Sequence, residues 1–220
     1  MFERETLGWP PPTTSVLRSK LQGGLAIVRA YAALATGRVA HHRIFGDLPD
    51  DVWLSMNTTT YRRYAVLRRV LPSLPDENIQ RRFIGNAGDA ALAEAYRAYQ
   101  IMRAVIARRG LPLENTAVLD FGCGWGRFVR FFLRDTPAEH LYGVDVMPLA
   151  IELSRQTNPW CQFSLVEPLP PSHLPDEHFG VIYLYSVFSH LSDEAHLRWL
   201  ARVPPTASSW RSAVRDHSNT

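Results

Sequence analysis

One stretch constrains this chain more than any other: residues 116–127, reading Thr-Ala-Val-Leu-Asp-Phe-Gly-Cys-Gly-Trp-Gly-Arg. Its first half is a short apolar run that ends in the carboxylate of Asp120. Such a run, bounded by glycines, suits a strand buried on both faces of a parallel sheet. Glycines then occupy alternate positions 122, 124 and 126. Without a Cβ they let the backbone turn sharply and let a ligand come close to it. Phe128, Phe131 and Phe132 follow at helical spacing, which predicts a helix over 126–134. Strand, glycine turn and helix together form the entry to a nucleotide-type site at a strand tip.

The glycine spacing narrows the ligand. A dinucleotide fingerprint, G-x-G-x-x-G, seats a pyrophosphate on a helix N-terminus. Here the third glycine comes one residue early, and Arg127 stands where that fingerprint wants glycine. This disfavours a nicotinamide-dependent oxidoreductase. The run Leu119 to Gly126 instead resembles motif I of class I S-adenosylmethionine-dependent methyltransferases. A second match follows at Leu141-Tyr142-Gly143-Val144-Asp145, which reads as the next strand and ends in an acid 25 positions after Asp120. A carboxylate at that strand tip is able to accept both ribose hydroxyls of an adenosine.

The resemblance covers roughly residues 116–203 and implies a set of cofactor contacts. The backbone at Gly122 and Gly124 lies against the methionine part of S-adenosylmethionine, and Cys123 belongs to the same turn. Asp120 helps position the ammonium group, and Asp145 takes the ribose hydroxyls. Val146 and Met147 flank the adenine, and Glu167 is the candidate for its amino group. The run Tyr185-Ser186-Val187-Phe188-Ser189-His190-Leu191, after strand 4, borders the methyl-donor pocket. Ser186 is the candidate contact there, and His190 is the candidate base, its pKa lying naturally near working pH. Methyl transfer from a sulfonium asks mainly for alignment of nucleophile, methyl and sulfur, and at most for removal of one proton.

After Leu111 the grammar is strand–helix. Strands are expected at about 117–120, 141–145, 162–165 and 181–185, and helices at 126–134, 148–156 and 193–202. That alternation implies an α/β fold with a parallel sheet. The resemblance gives it the Rossmann-like order 3-2-1-4, continued in the family by strands 5, 7 and 6. Two departures stand out. Gly180 occupies the place where the family usually has an acid opening strand 4. After Val203 the sequence reads Pro-Pro-Thr-Ala-Ser-Ser-Trp-Arg and then a polar tail, with no candidate for strands 5–7. The expectation is a truncated or frame-shifted domain whose strand 4 is an open edge, prone to self-association and weak in cofactor affinity.

Before Leu111 the grammar is helix–helix. Helical patterns run over about 15–37, 51–71 (interrupted at Asn57-Thr58-Thr59-Thr60), 76–83 and 90–109. The expected organisation is a helical extension over 1–83, a cofactor-binding domain over 84–203 and an irregular tail over 204–220. Residues 1–110 hold 16 Lys or Arg against 9 Asp or Glu, and residues 111–220 hold 8 against 12. The basic half carries paired arginines but no aromatic–basic stripe, so it reads as solvated helix surface rather than a nucleic-acid interface. His41-His42 has no third ligand nearby and reads as an exposed pair, so no metal site is expected. Cys123 and Cys161 make no disulfide framework, and Cys123 reads as a small filler of the turn. No signal peptide and no membrane span is evident, which implies a cytoplasmic protein. The function implied is methyl transfer from S-adenosylmethionine to an acceptor that the sequence does not identify. The rival is a degenerate domain that binds the cofactor or a partner without chemistry.

Overall fold

The computed structural model describes residues 14–175, 177–187 and 192–202. The chain forms two compact units, divided between Pro72 and Ser73. The division places the short helix after Asp76 in the second unit, upstream of the boundary at 83–84 expected from the sequence.

The first unit is helical. Its helices are α1 (Thr14–Thr36), α2 (His41–Phe45), α3 (Asp50–Asn57), α4 (Thr59–Arg63) and α5 (Leu67–Val70). The interruption expected at 57–60 is real and separates α3 from α4, and a second break at 64–66 separates α4 from α5. Thr58 leaves helical geometry at φ −126° and ψ −99°. The Asn57 amide donates to the Trp53 carbonyl and the Thr58 hydroxyl to that of Leu54, so side chains satisfy the end of α3. Phe45, Trp53, Met56, Leu67 and Val70 form the buried centre, with the Phe45 and Trp53 rings 5.2 Å apart. One expectation is corrected here. His41 is buried, not exposed, because it begins α2 on the same side as Ile44 and Phe45, the residues that face the core.

The second unit opens with α6 (Glu77–Ile84), whose N-cap Asp76 accepts from the Asn78 amide at 2.8 Å. Helix α7 (Gly88–Arg108) follows. Four strands, β1 (Val118–Phe121), β2 (Leu141–Asp145), β3 (Gln162–Leu165) and β4 (Val181–Tyr183), make a parallel sheet in the order β3-β2-β1-β4. The register pairs Asp120 with Gly143 on one side and Tyr183 on the other. Strand β1 is buried throughout, as its unbroken apolar run requires. Helices α8 (Val129–Phe132), α9 (Pro148–Thr157) and α10 (Asp193–Arg202) complete the unit.

Aromatic packing ties α7 to α8. Tyr96, Tyr99, Phe131 and Phe132 contact one another at centroid distances of 5.1 to 5.8 Å, and Phe132 stacks on Tyr183 of β4. The buried Arg134 guanidinium donates to the Tyr99 hydroxyl, which in turn donates to Asp135. A buried charge is tolerable only when answered in this way.

Two elements are shorter than expected. The helix predicted over 126–134 shrinks to α8, because Gly126 sits in the left-handed region (φ +76°) and the turns around α8 close through i→i+3 bonds such as Phe131 N–H to Phe128 O. Strand β4 stops at Tyr183 rather than 185, and β4 forms one edge of the described sheet. Gly180 also gains a local reason. A Cβ there would stand 2.7 Å from Cγ2 of Thr116, so the close approach of these two segments excludes a side chain.

Candidate functional site

The β1 tip runs into Gly122, Cys123 and Gly124, and this turn is held by hydrogen bonds to β2, to α9 and within itself. The Gly122 and Cys123 N–H groups both donate to the Val144 carbonyl, at 2.8 and 2.9 Å. The Gly124 N–H donates to Asp145 Oδ2 at 2.9 Å, and the Ser154 hydroxyl of α9 donates to the Gly124 carbonyl at 2.9 Å. Gly126 N–H donates to the Cys123 carbonyl. Gly122 has φ +80°, and a Cβ there would collide with Val187 Cγ2. A pyrophosphate loop works by turning its N–H groups toward the ligand. Here those of residues 122, 123, 124 and 126 are all taken by the protein.

Asp145 is the pivot. While Oδ2 accepts from Gly124, Oδ1 accepts from the Met147 N–H at 2.9 Å, which turns the chain from β2 into α9. Each carboxylate oxygen keeps a second lone pair for a ligand. Asp120 lies beneath the turn, 1% exposed, and its Oδ2 finds no hydrogen-bond partner among the described residues. Burial pushes its carboxyl up to about 8. The neighbouring Tyr183 hydroxyl, which approaches without completing a good hydrogen bond, and Arg127 hold it back, and Asp145 raises it further. Burial likewise pushes the Cys123 thiol well up, with the Asp120 and Asp145 charges adding to it, so it is no nucleophile.

Over this turn lies a cavity of about 460 Å³. Of the residues singled out in the sequence, Gly122, Cys123, Gly124, Asp145, Val146, Met147 and Ser186 line it. Asp120 lies under the floor. Glu167 is exposed and does not line the cavity, whereas its neighbours Val166 and Pro168 do. Ser186 adopts φ +58°, a strained conformation for a residue with a Cβ. His190 lies outside the described residues.

The sequence reading missed the far wall. Glu94 of α7 accepts on a single oxygen from both terminal nitrogens of Arg127, at 3.2 and 3.3 Å, and from the Tyr185 hydroxyl at 3.2 Å. The Arg127 guanidinium also lies 4.6 Å from the Phe128 ring centroid and 5.3 Å from that of Tyr185. Trp199 of α10 closes the β3 side, donating to the Pro168 carbonyl at 2.9 Å with its ring 4.7 Å from Phe121. Nothing local marks Glu94 or Trp199, since both reach the cavity from helices distant in sequence. Among the described residues there is no cluster that could hold a metal ion.

A cavity at the tips of parallel strands, floored by a glycine turn and walled by a carboxylate at the second strand, defines a nucleotide-type ligand site. Residues 118–204 match the family model described as a methyltransferase domain. The match covers less than half of the chain and agrees with the S-adenosylmethionine-dependent methyltransferase motifs read in that segment. Among solved structures, the chain is similar to an S-adenosylmethionine-dependent methyltransferase from Mesorhizobium loti (20% identity, TM-score 0.38, covering 48% of each chain). It is similar also to a TehB-like methyltransferase from Corynebacterium glutamicum (20%, 0.36, covering 50% of this chain and 65% of that one). A third is CalS10, an amino pentose methyltransferase from Micromonospora echinaspora (21%, 0.38, covering 51% of this chain and 46% of that one). The chain thus spans between about half and two thirds of the length of these structures. No curated protein matches it. No helix among the described residues is long and apolar enough to cross a membrane.

The residues present fit this cofactor. The turn spends its own N–H groups internally, as suits a ligand without phosphates. The walls over β2 and β3 (Val146, Met147, Val166, Pro168) are apolar and suit a purine. The orphaned oxygen of Asp120 belongs to a carboxyl that burial keeps largely protonated near neutral pH, and a cationic ligand would favour its ionisation.

Proposed function

We propose that the chain transfers a methyl group from S-adenosylmethionine to an acceptor that enters from the β4 side of the cavity. The observation that carries this reading is the bonding of Asp145. Its carboxylate is fixed by two backbone N–H groups at the β2 tip and stands in the cavity wall with lone pairs to spare.

In this reading Asp145 binds the ribose hydroxyls, and Val146, Met147, Val166 and Pro168 pack on the adenine. The floor at Gly122, Cys123 and Gly124 lies against the methionine part, and Asp120 balances its ammonium charge from below. The cofactor supplies an activated methyl group on a sulfonium, with a good leaving group already in place. The chain therefore mainly aligns and shields, a task suited to a turn held by the sheet. Ser186 and Val187 border the acceptor, and His190, outside the described residues, is the candidate to take a proton from it.

Photo-crosslinking of methyl-labelled S-adenosylmethionine to the full chain, mapped by peptide mass spectrometry, tests this placement. Label is expected on peptides spanning 116–127 or 141–155. Label confined to the first unit contradicts it.

A further inference from the structure

Helix α1 is built inside out. Toward its own unit it buries small residues, Gly23, Ala26, Ala30 and Ala33. Away from it the helix displays Leu17, Leu21, Val28 and Tyr31, exposed by 53, 74, 63 and 56%. A surface helix ordinarily buries its large apolar face and shows a polar one. The displayed residues are also regularly spaced. Positions 17, 21, 24, 28, 31 and 35 step alternately by four and three and are all exposed. That is the 3.5-residue period of a seam between two helices. Gly24 sits mid-seam, and a Cβ built on it would meet nothing within 4 Å, so a second backbone has room to come close.

We infer that this face of α1 is a pairing surface between two copies of the chain, their α1 helices running antiparallel about a two-fold axis near Gly24. Such an interface is self-complementary. Leu21 faces Val28 of the second copy, Leu17 faces Tyr31, and the glycines meet at the axis. Each copy contributes on the order of 500 Å² of largely apolar surface, in the upper part of the range for the largest patch on a monomer, the size at which such patches are often functional. The pair covers on the order of 1,000 Å², the size at which specific interfaces begin. A membrane surface suits this helix less well. The stripe, flanked by the less exposed Leu25 and Val16, has behind it a face that belongs to the unit's own core instead of carrying a broad basic surface. Of the cations on α1, Arg29 is already paired with Asp47 at 2.8 Å.

Sedimentation equilibrium of the full chain at micromolar concentrations, with and without anionic lipid vesicles, reads this directly. A dimer is expected without lipid. Leu21→Glu and Val28→Glu should each weaken it at least tenfold and leave circular dichroism unchanged, since both side chains are exposed. Under mild oxidation Gly24→Cys should form a disulfide-linked dimer and Leu17→Cys should not. Cys123 and Cys161 are buried and give no background. A monomer at every concentration, or binding to vesicles without self-association, overturns the inference. So does an association that survives both glutamates, which would place it elsewhere, for instance at the β4 edge. Cross-linking of Leu17→Cys but not Gly24→Cys overturns the antiparallel pairing.

Discussion

The two sides of the glycine turn are held by different kinds of contact. On the β2 side, Asp145 bonds Gly124 and Met147, residues 21 and 2 positions away, within one strand–turn–helix unit. On the β4 side, Glu94 bonds Arg127 and Tyr185 across 33 and 91 positions, bringing three separate elements together. The first side follows from the local grammar of a parallel α/β fold. The second depends on how α7 lies against the sheet. Under the proposed function, the first grips the unchanging cofactor and the second borders the acceptor.

Breaking the β2 side should have the largest effect. Asp145→Ala removes a charged acceptor for two hydroxyls and leaves the Gly124 and Met147 N–H groups without it. Affinity for S-adenosylmethionine is expected to fall by about 2–4 kcal/mol, on the order of 30- to 1,000-fold, in calorimetric titration. Unchanged affinity would remove Asp145 from the site.

The floor beneath the turn should respond to pH. The Asp120 carboxyl is raised from an ordinary 3.8 to about 8 in the fold, so between those values the folded chain holds a proton that the unfolded chain has released. The stability associated with Asp120 is present below the lower value and is lost as pH rises through about 8. Asp120→Asn is expected to flatten the decline in melting temperature between pH 5 and 8. A cationic ligand favours the ionised form, so cofactor binding to the native chain should release a proton below pH 8. Calorimetry in buffers of different ionisation heat checks this, and the absence of proton release would separate Asp120 from the ligand.

The smallest effect belongs to the β4 side. Tyr185→Phe removes one hydrogen bond to Glu94 and leaves the Arg127 pair in place. A stability loss of about 0.5–1.5 kcal/mol is expected in chemical denaturation, with cofactor affinity within about threefold of the native chain. A loss as large as that of Asp145→Ala would erase the distinction between the two sides.

What the sequence disclosed follows the same division. The strands and the Asp120–Asp145 spacing were legible because buried parallel strands and tight turns leave a short-range signature, whereas the strand order came from the family resemblance. Asp76 as a helix cap and the break at residues 57–60 were legible for the same reason. The length of α8 was not, because left-handed Gly126 interrupts an aromatic pattern that looks helical throughout. His41 was misjudged, since adjacent polar residues say nothing about which one turns inward. Glu94 and Trp199 carry no local mark, because tertiary packing alone brings them to the cavity. Val166 and Pro168 in place of Glu167 reflect alternation along an extended segment, where a one-residue offset changes which side chain faces the ligand.

The most direct test of the central claim is a calorimetric titration of the native chain with S-adenosylmethionine and, in parallel, with a nicotinamide dinucleotide. A turn that spends the N–H groups of residues 122, 123, 124 and 126 on Val144, Asp145 and Cys123 is poorly equipped to cradle a pyrophosphate. Saturable one-to-one binding of S-adenosylmethionine and no heat from the dinucleotide is the expected result. Binding of the dinucleotide without binding of S-adenosylmethionine would contradict it.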